Sequence, residues 1–159
     1  MAQQLSSGHD IGTVERVLRQ LAEARLACWV FGGWAEELRG LCAARPHADI
    51  DLLLLADSFA PVETMFHEHS LTEIKGKRFP HKRAFLFEGV MVELFLVQTD
   101  DRGFFTSFWG TTRHDWPSDV FSGQLDPPTA SASALTGYRR DHERLTNARP
   151  VKTGQASHF

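Results

Sequence analysis

Long apolar runs are absent from this sequence. No window approaches the roughly 18 consecutive apolar residues that a membrane-spanning helix needs, so we expect no membrane span. The amino-terminal stretch, 1–12, is polar and lacks the apolar segment of a secretory signal peptide. Together these absences predict a cytoplasmic protein.

The sequence also has few cysteines and a small net charge. The chain has 159 residues, only two cysteines (Cys28 and Cys42) and a formal net charge of −3. Their spacing permits a disulfide, but two reduced, buried thiols are the favoured interpretation for a cytoplasmic chain. The sequence has no clustered basic face of the kind that duplex nucleic acid requires, so we do not expect such a partner.

The apolar pattern predicts a single α/β (α+β) domain over 1–159, with flexible ends at 1–12 and 150–159. A segment at 49–55 is apolar on both faces apart from two acids, which is typical of a central strand in a layered fold. The segment 100–130 is predicted to be mostly loop, packed on the sheet by its aromatic residues. The other predicted elements are helices from Thr13, at 34–41, at 61–69 and after Ser131 or Ser133, a strand at 28–31, and a β-hairpin of 83–87 and 91–97.

Two acids lie at the start of that central strand, Asp49 and Asp51. Side chains at positions i and i+2 of a strand point to the same face, about 7 Å apart at the backbone, so both carboxylates can reach one ion. Buried carboxylates without a partner are costly, and a hard cation such as Mg²⁺ removes both the burial penalty and the mutual repulsion. The alternative is that both acids sit at an exposed strand end and bind Arg45 or helix ends.

Glu93 is the third acid of interest, because it interrupts the most apolar strand-like run in the second half of the chain, 91–97. A buried charge there needs a partner, and a salt bridge to Lys82 or Arg83 would supply one. With an acidic pair on another strand of the sheet, a role as third metal ligand or general base is the better explanation.

A Gly32-Gly33 turn separates the first strand from the following helix. Two glycines let the backbone approach a ligand closely, and N–H groups at a helix start favour phosphate, although a simple tight turn is the more common reason for such a pair. Lys82 and Arg83, in a basic stretch before the hairpin, are the side chains that we expect to reach triphosphate oxygens.

The segments Trp29-Val30-Phe31-Gly32-Gly33-Trp34-Ala35 and His47-Ala48-Asp49-Ile50-Asp51-Leu52 resemble those of the aminoglycoside 2″-nucleotidyltransferases and the related lincosamide nucleotidyltransferases. The resemblance implies the minimal nucleotidyltransferase fold of the polymerase β superfamily, a mixed sheet flanked by helices. It also implies Mg²⁺-dependent transfer of a nucleoside monophosphate from ATP or another NTP to a hydroxyl group.

The resemblance carries over residue by residue. Gly32 and Gly33 match the phosphate-binding turn of the family, Asp49 and Asp51 match its metal-binding pair, and Glu93 falls where its third carboxylate, the general base, is expected. Two departures stand out: the third acid is Glu where many relatives have Asp, and the chain is short after the hairpin.

The short second half leaves the acceptor open. An aminoglycoside-like compound is one candidate for the small-molecule hydroxyl acceptor. Either a second copy of the chain completes the cleft in a homodimer, or the acceptor is small. The Trp109–Trp116 region is a candidate for an acceptor or nucleobase wall or for the core, and Tyr138, Arg139 and Arg140 are candidates to face the cleft from the last helix. The main alternative to an enzyme is a non-catalytic nucleotide-binding or antitoxin-like protein with the same fold, and a second is a structural domain whose acids are merely salt-bridged.

Overall fold

The computed structural model describes residues 9–122 and 125–150, and the predicted flexible ends lie largely outside them. One part of that prediction is wrong, because the first helix already begins at Ile11. The elements in chain order are α1 (Ile11–Glu23), β1 (Ala27–Phe31), α2 (Gly32–Leu38), β2 (Asp49–Leu55), α3 (Ala60–Glu68), a short 3₁₀ turn (Lys75–Lys77), β3 (Lys82–Phe87), β4 (Val90–Asp100), β5 (Gly103–Phe108), β6 (Thr112–Asp115) and α4 (Ala132–Asn147).

The six strands form one mixed sheet in the order β1-β2-β4-β5-β6, and β3 also pairs with β4. The β2–β4 pair is parallel, whereas the other pairs are antiparallel. A parallel pair needs a crossover connection, and here α3 lies in the chain between β2 and β4. The predicted class, a mixed sheet with helices, is confirmed.

The core lies around β2, as its apolar sequence predicts. Leu52, Leu53 and Leu54 are fully buried, which is possible only because both faces of this strand are covered. From α1, the positions spaced by three and four residues (Val14, Val17 and Leu21) are likewise fully buried.

The predicted hairpin of β3 and β4 is confirmed, with Glu88 and Gly89 as its two-residue turn. Both residues have positive φ, 52° and 78°. Such a turn matches the right-handed twist of the flanking strands and sets the register that places Ala84 opposite Glu93.

The prediction for 100–130 is wrong in part, because β5 and β6 form a second hairpin there. β5 has aromatic side chains on both faces (Phe104 and Phe105) and β6 has only four residues, so the alternation that marks a half-buried strand is missing from the sequence. The aromatic packing is as predicted, since Phe108 and Trp116 are buried in the core.

Both cysteine thiols are free. Cys28 is buried, as predicted, whereas Cys42 is only half-buried. Among the described residues, no helix is both long enough and apolar enough to cross a membrane.

Candidate active site

The three predicted acids meet on one face of the sheet. Asp49 and Asp51 share that face because they are two residues apart on β2, and the parallel register places Asp51 directly beside Glu93 of β4. One carboxylate oxygen from each of the three acids lies within 4.8 Å of the other two.

This cluster is largely withdrawn from water. Glu93 is only 6% exposed, and Asp51 Oδ1 is buried without a hydrogen-bond partner among the described residues. Burial, followed by the charges of Asp49 and Glu93, holds the pKa of Asp51 well above its usual range. Burial and the charge of Glu93 also raise the pKa of Asp49. The cluster therefore has excess negative charge and an unsatisfied oxygen, and a cation would compensate both.

Two lysines partly neutralise the cluster from the side of Glu93. Lys82 Nζ lies 3.3 Å from Glu93 Oε2, and Lys77 Nζ lies 3.7 Å from the same oxygen. The salt bridge to Lys82 that the sequence offers as an explanation for Glu93 is thus present alongside the carboxylate cluster. Lys77 belongs to the same basic stretch of the sequence, but nothing in that stretch distinguishes it from Lys75.

Arg83 is not brought to the cluster. It follows Lys82 directly on β3, and consecutive strand residues point to opposite faces of the sheet. Its guanidinium group contacts Glu63 at 3.2 Å, lies 4.4 Å from the centre of the Phe59 ring and donates to the Phe79 carbonyl at 2.7 Å. These contacts place Arg83 in the packing of α3 against the sheet.

The Gly32-Gly33 pair begins α2 rather than preceding it. Gly32 has a φ of 64°, and a Cβ atom there would overlap Asp51 Oδ2. At Gly33, a Cβ would lie 2.9 Å from Arg45 Nη2 and 3.0 Å from His47 Nδ1. Glycine is therefore required at position 32 for the backbone to approach Asp51 this closely, whereas a side chain at position 33 would displace the Arg45 guanidinium group and crowd the His47 ring.

Two cavities flank the contact between Phe31 and Tyr138, whose ring centres are 4.9 Å apart. The first has a volume of about 320 Å³, and its lining includes Asp51 and Glu93. The second, of about 310 Å³, opens beside Gly32 and Gly33. We call them the Glu93 cavity and the Gly33 cavity.

His81 is a lining residue of the Glu93 cavity that the sequence does not distinguish from the other seven histidines. Its Nδ1 accepts a hydrogen bond from the Trp109 backbone N–H at 3.0 Å, which leaves the proton of the neutral ring on Nε2. Burial, and secondarily the charge of Lys82, lowers the pKa of His81 to about 4.

The depressed pKa of His81 predicts acid sensitivity. A histidine whose pKa falls from 6.5 when unfolded to about 4 when folded stabilises the protein above pH 6.5 and loses that contribution as the pH falls toward 4. Between pH 7 and pH 5 this amounts to about 2 kcal/mol of unfolding free energy. Urea unfolding of the native chain and of His81→Gln at both pH values is expected to show a smaller loss for the variant. The raised pKa values of Asp49 and Asp51 increase stability as the pH falls, and they do so in both proteins. The informative quantity is therefore the difference in stability loss between the native chain and the variant. Equal losses would contradict the prediction.

Comparison with known proteins extends these observations. A family model described as aminoglycoside-2″-adenylyltransferase matches residues 13–104, a range that includes Gly32, Gly33 and all three acids. A comparison with curated protein sequences found no match.

Two solved structures share the fold. ANT(2″)-Ia in complex with adenylyl-2″-tobramycin is 16% identical with a TM-score of 0.59, and the alignment covers 91% of this chain and 83% of that one. The lincosamide antibiotic adenylyltransferase LnuA, lincomycin-bound, is 18% identical with a TM-score of 0.61, over 86% of this chain and 94% of that one. These likenesses confirm the predicted minimal nucleotidyltransferase fold. Because the family match spans more than half of the sequence, the chain belongs to the aminoglycoside-2″-adenylyltransferase family of nucleotidyltransferase enzymes.

Proposed function

We propose that the protein is a Mg²⁺-dependent nucleotidyltransferase that moves a nucleoside monophosphate from ATP or another NTP to a hydroxyl group of a small molecule. The observation that carries this proposal is the meeting of Asp49, Asp51 and Glu93, with oxygens within 4.8 Å of one another, in a family of nucleotidyltransferases.

The donor set fits Mg²⁺. The three acids offer only carboxylate oxygens, which this ion prefers, and Asp51 Oδ1 is buried with no other described group to satisfy it. Asp49 and Asp51, with Glu93, would hold the ion. When bound, Mg²⁺ neutralises phosphate charge as it accumulates in the transition state.

In this proposal Glu93 acts as the general base. Its carboxylate would take the proton of the acceptor hydroxyl as that oxygen attacks the α-phosphorus. The new bond joins the acceptor oxygen to the α-phosphorus, the bond between the α-phosphorus and the bridging oxygen of the β-phosphate breaks, and pyrophosphate leaves. Lys82, 3.3 Å from Glu93 Oε2, would hold phosphate oxygens near the base.

The two cavities suggest how the substrates divide the cleft. The Gly33 cavity is lined by the cationic side chains Arg45 and Arg139 and by the glycine pair, so it suits the triphosphate-bearing substrate. The Glu93 cavity contains the general base, and an acceptor hydroxyl must reach that base. We therefore assign the Gly33 cavity to the NTP and the Glu93 cavity to the acceptor.

The non-catalytic alternative has less support. An antitoxin-like or binding-only protein has no need for three converging carboxylates, which are costly to bury without a cation. The cytoplasmic location and the homodimer suggested by the sequence stay predictions, and a sedimentation measurement would test the dimer.

The site is tested most directly by thermal unfolding with ATP, with and without Mg²⁺. At a ligand concentration of 100 times the Kd, about 2.7 kcal/mol of stabilisation is expected, which corresponds to a rise in Tm of roughly 5–10 °C. The shift is expected to require Mg²⁺ and to be lost in the double variant Asp49→Asn/Asp51→Asn. An equal shift in the double variant would overturn the assignment of the metal site.

Lys82 and Arg83 provide a matched pair for the phosphate contact. Lys82→Met is expected to raise the Kd for ATP·Mg roughly tenfold, because one charge-assisted hydrogen bond is lost. Arg83→Met is expected to leave that Kd unchanged and to lower only stability, since Arg83 contacts Glu63 and Phe59. Titration calorimetry measures both, and a larger effect at Arg83 would reverse the assignment in favour of the predicted role of that residue.

A further inference from the structure

The lining of the Glu93 cavity is rich in aromatic residues. Its aromatic wall consists of Phe31, Phe95, Phe108, Trp109 and Tyr138. Four of these rings contact His81 or one another at centroid distances below 5 Å, namely in the His81–Phe108 pair at 4.8 Å, the His81–Trp109 pair at 4.5 Å and the Phe31–Tyr138 pair at 4.9 Å. The wall is therefore a packed surface rather than a set of isolated side chains.

The acidic residues that line the two cavities already belong to the carboxylate cluster or to ion pairs. In the Glu93 cavity the acidic lining residues are Asp51 and Glu93, both part of the carboxylate cluster. In the Gly33 cavity the acidic lining residue is Glu36, which forms ion pairs with Arg139 and, at 3.9 Å, with Arg45. Among the residues that the structure describes around these cavities, no carboxylate is left over to receive an ammonium group.

The positively charged groups near the Glu93 cavity also disfavour a polycationic acceptor. Lys82 lines the Glu93 cavity, with Nζ 5.0 Å from the centre of the Phe95 ring, and Lys77 approaches Glu93 from beside it. A polycation in this cavity would meet these ammonium groups and a metal-loaded carboxylate cluster. Desolvating several positive charges beside these ammonium groups, without an acidic partner, is unfavourable.

We propose that the acceptor is a hydroxyl compound with an apolar or aromatic face and at most one positive charge, and not a polycationic amino sugar. This inference rests on the proposed function and on the assignment of the Glu93 cavity to the acceptor. The aromatic wall would pack on the apolar face, while the hydroxyl group would lie beside Glu93. Single hydrogen bonds from neutral side chains such as Thr146 and His81 would orient the remainder of the molecule.

Binding preference tests the proposal on the full chain. Phenyl β-D-glucopyranoside (neutral, one aromatic face) and tobramycin (polycationic) are titrated by calorimetry with Mg²⁺, with and without α,β-methylene-ATP. The phenyl glycoside is expected to bind at least about tenfold more tightly than tobramycin. Equal or tighter binding of tobramycin overturns the proposal, as does the absence of phenyl glycoside binding at millimolar concentration.

A matched pair of variants locates the binding. Phe95→Leu removes one ring from the wall, whereas Phe105→Leu removes a ring that lies outside the cavity, under the Arg113 guanidinium at 4.0 Å. A threefold to tenfold weaker affinity, roughly, is expected for Phe95→Leu and none for Phe105→Leu. Equal effects overturn the assignment of the cavity.

Failure of the proposed function has a different signature. If ATP·Mg produces no thermal shift, the transferase proposal fails, yet the titrations without nucleotide still decide between the two acceptor classes. If ATP·Mg binds and tobramycin is preferred, the transferase proposal stands and only the acceptor class is wrong.

Discussion

Asp51→Asn is expected to lower the rate of nucleotidyl transfer by on the order of 10³-fold while the protein remains folded. The side chain has one oxygen that is buried without a hydrogen-bond partner among the described residues, and its other oxygen lies against Gly32. An amide at this position keeps the shape but removes the charge that would hold Mg²⁺. Pyrophosphate release with ATP·Mg and a suitable acceptor measures the rate.

Stability in the absence of Mg²⁺ distinguishes this loss from misfolding. The pKa of Asp51 is raised in the folded state by burial and by its acidic neighbours. Its contribution to stability is therefore present below the unfolded pKa and is lost as the pH rises through the folded pKa. At neutral pH, Asp51→Asn is expected to be at least as stable as the native chain in metal-free buffer.

Asp57 provides the control, because it is exposed and lies just beyond the other end of β2. Asp57→Asn is expected to keep full activity. A rate for Asp51→Asn that stays within a factor of three, roughly, of the rate for Asp57→Asn would remove Asp51 from the proposed metal site.

Gly32→Ala is the second substitution for which we expect a large effect. Its φ of 64° costs an alanine on the order of 1–2 kcal/mol, and the new Cβ would also overlap Asp51 Oδ2. The Asp51 carboxylate, the backbone of α2 or both must then move. We expect a clear fall in Tm and loss of the Mg²⁺-dependent shift with ATP.

Gly40 separates the two causes, since it has a φ of 73° and nothing within 4 Å of its Cβ position. Gly40→Ala carries the same kind of backbone strain without a collision. It is expected to lower Tm moderately and to leave the ATP·Mg shift intact. If both variants lose the shift, or neither does, the close approach of Gly32 to Asp51 has no role in binding.

The residues at the centre of the cleft could be predicted because their constraints are local. Two acids at i and i+2 in a strand that is otherwise apolar must share a face, and that holds for Asp49 and Asp51 in any register. The glycine pair after a buried strand and the hairpin turn at Gly89 are also short-range patterns. The resemblance of these segments to a known family then indicated the fold, which the comparisons confirm.

The neighbours of these residues could not be predicted, because they depend on which strands pair and on the direction of each side chain. Nothing in the basic stretch of the sequence distinguishes Lys82 from Arg83. Because consecutive strand residues point to opposite faces, however, Lys82 contacts Glu93 and Arg83 contacts Glu63. The β5–β6 hairpin has no recognisable pattern in the sequence, because β5 is aromatic on both faces and β6 has only four residues.

The sequence by itself determined the family, the acidic trio and the glycine pair, since all of them rest on residue type and short spacing. The tertiary structure alone decided that the β2–β4 pair is parallel with Asp51 beside Glu93, and that the Glu93 cavity is walled by rings from distant parts of the chain. The physical reason is that strand register and the packing of α4 on the sheet bring together residues far apart in the chain, and neither leaves a periodic pattern in the residues concerned.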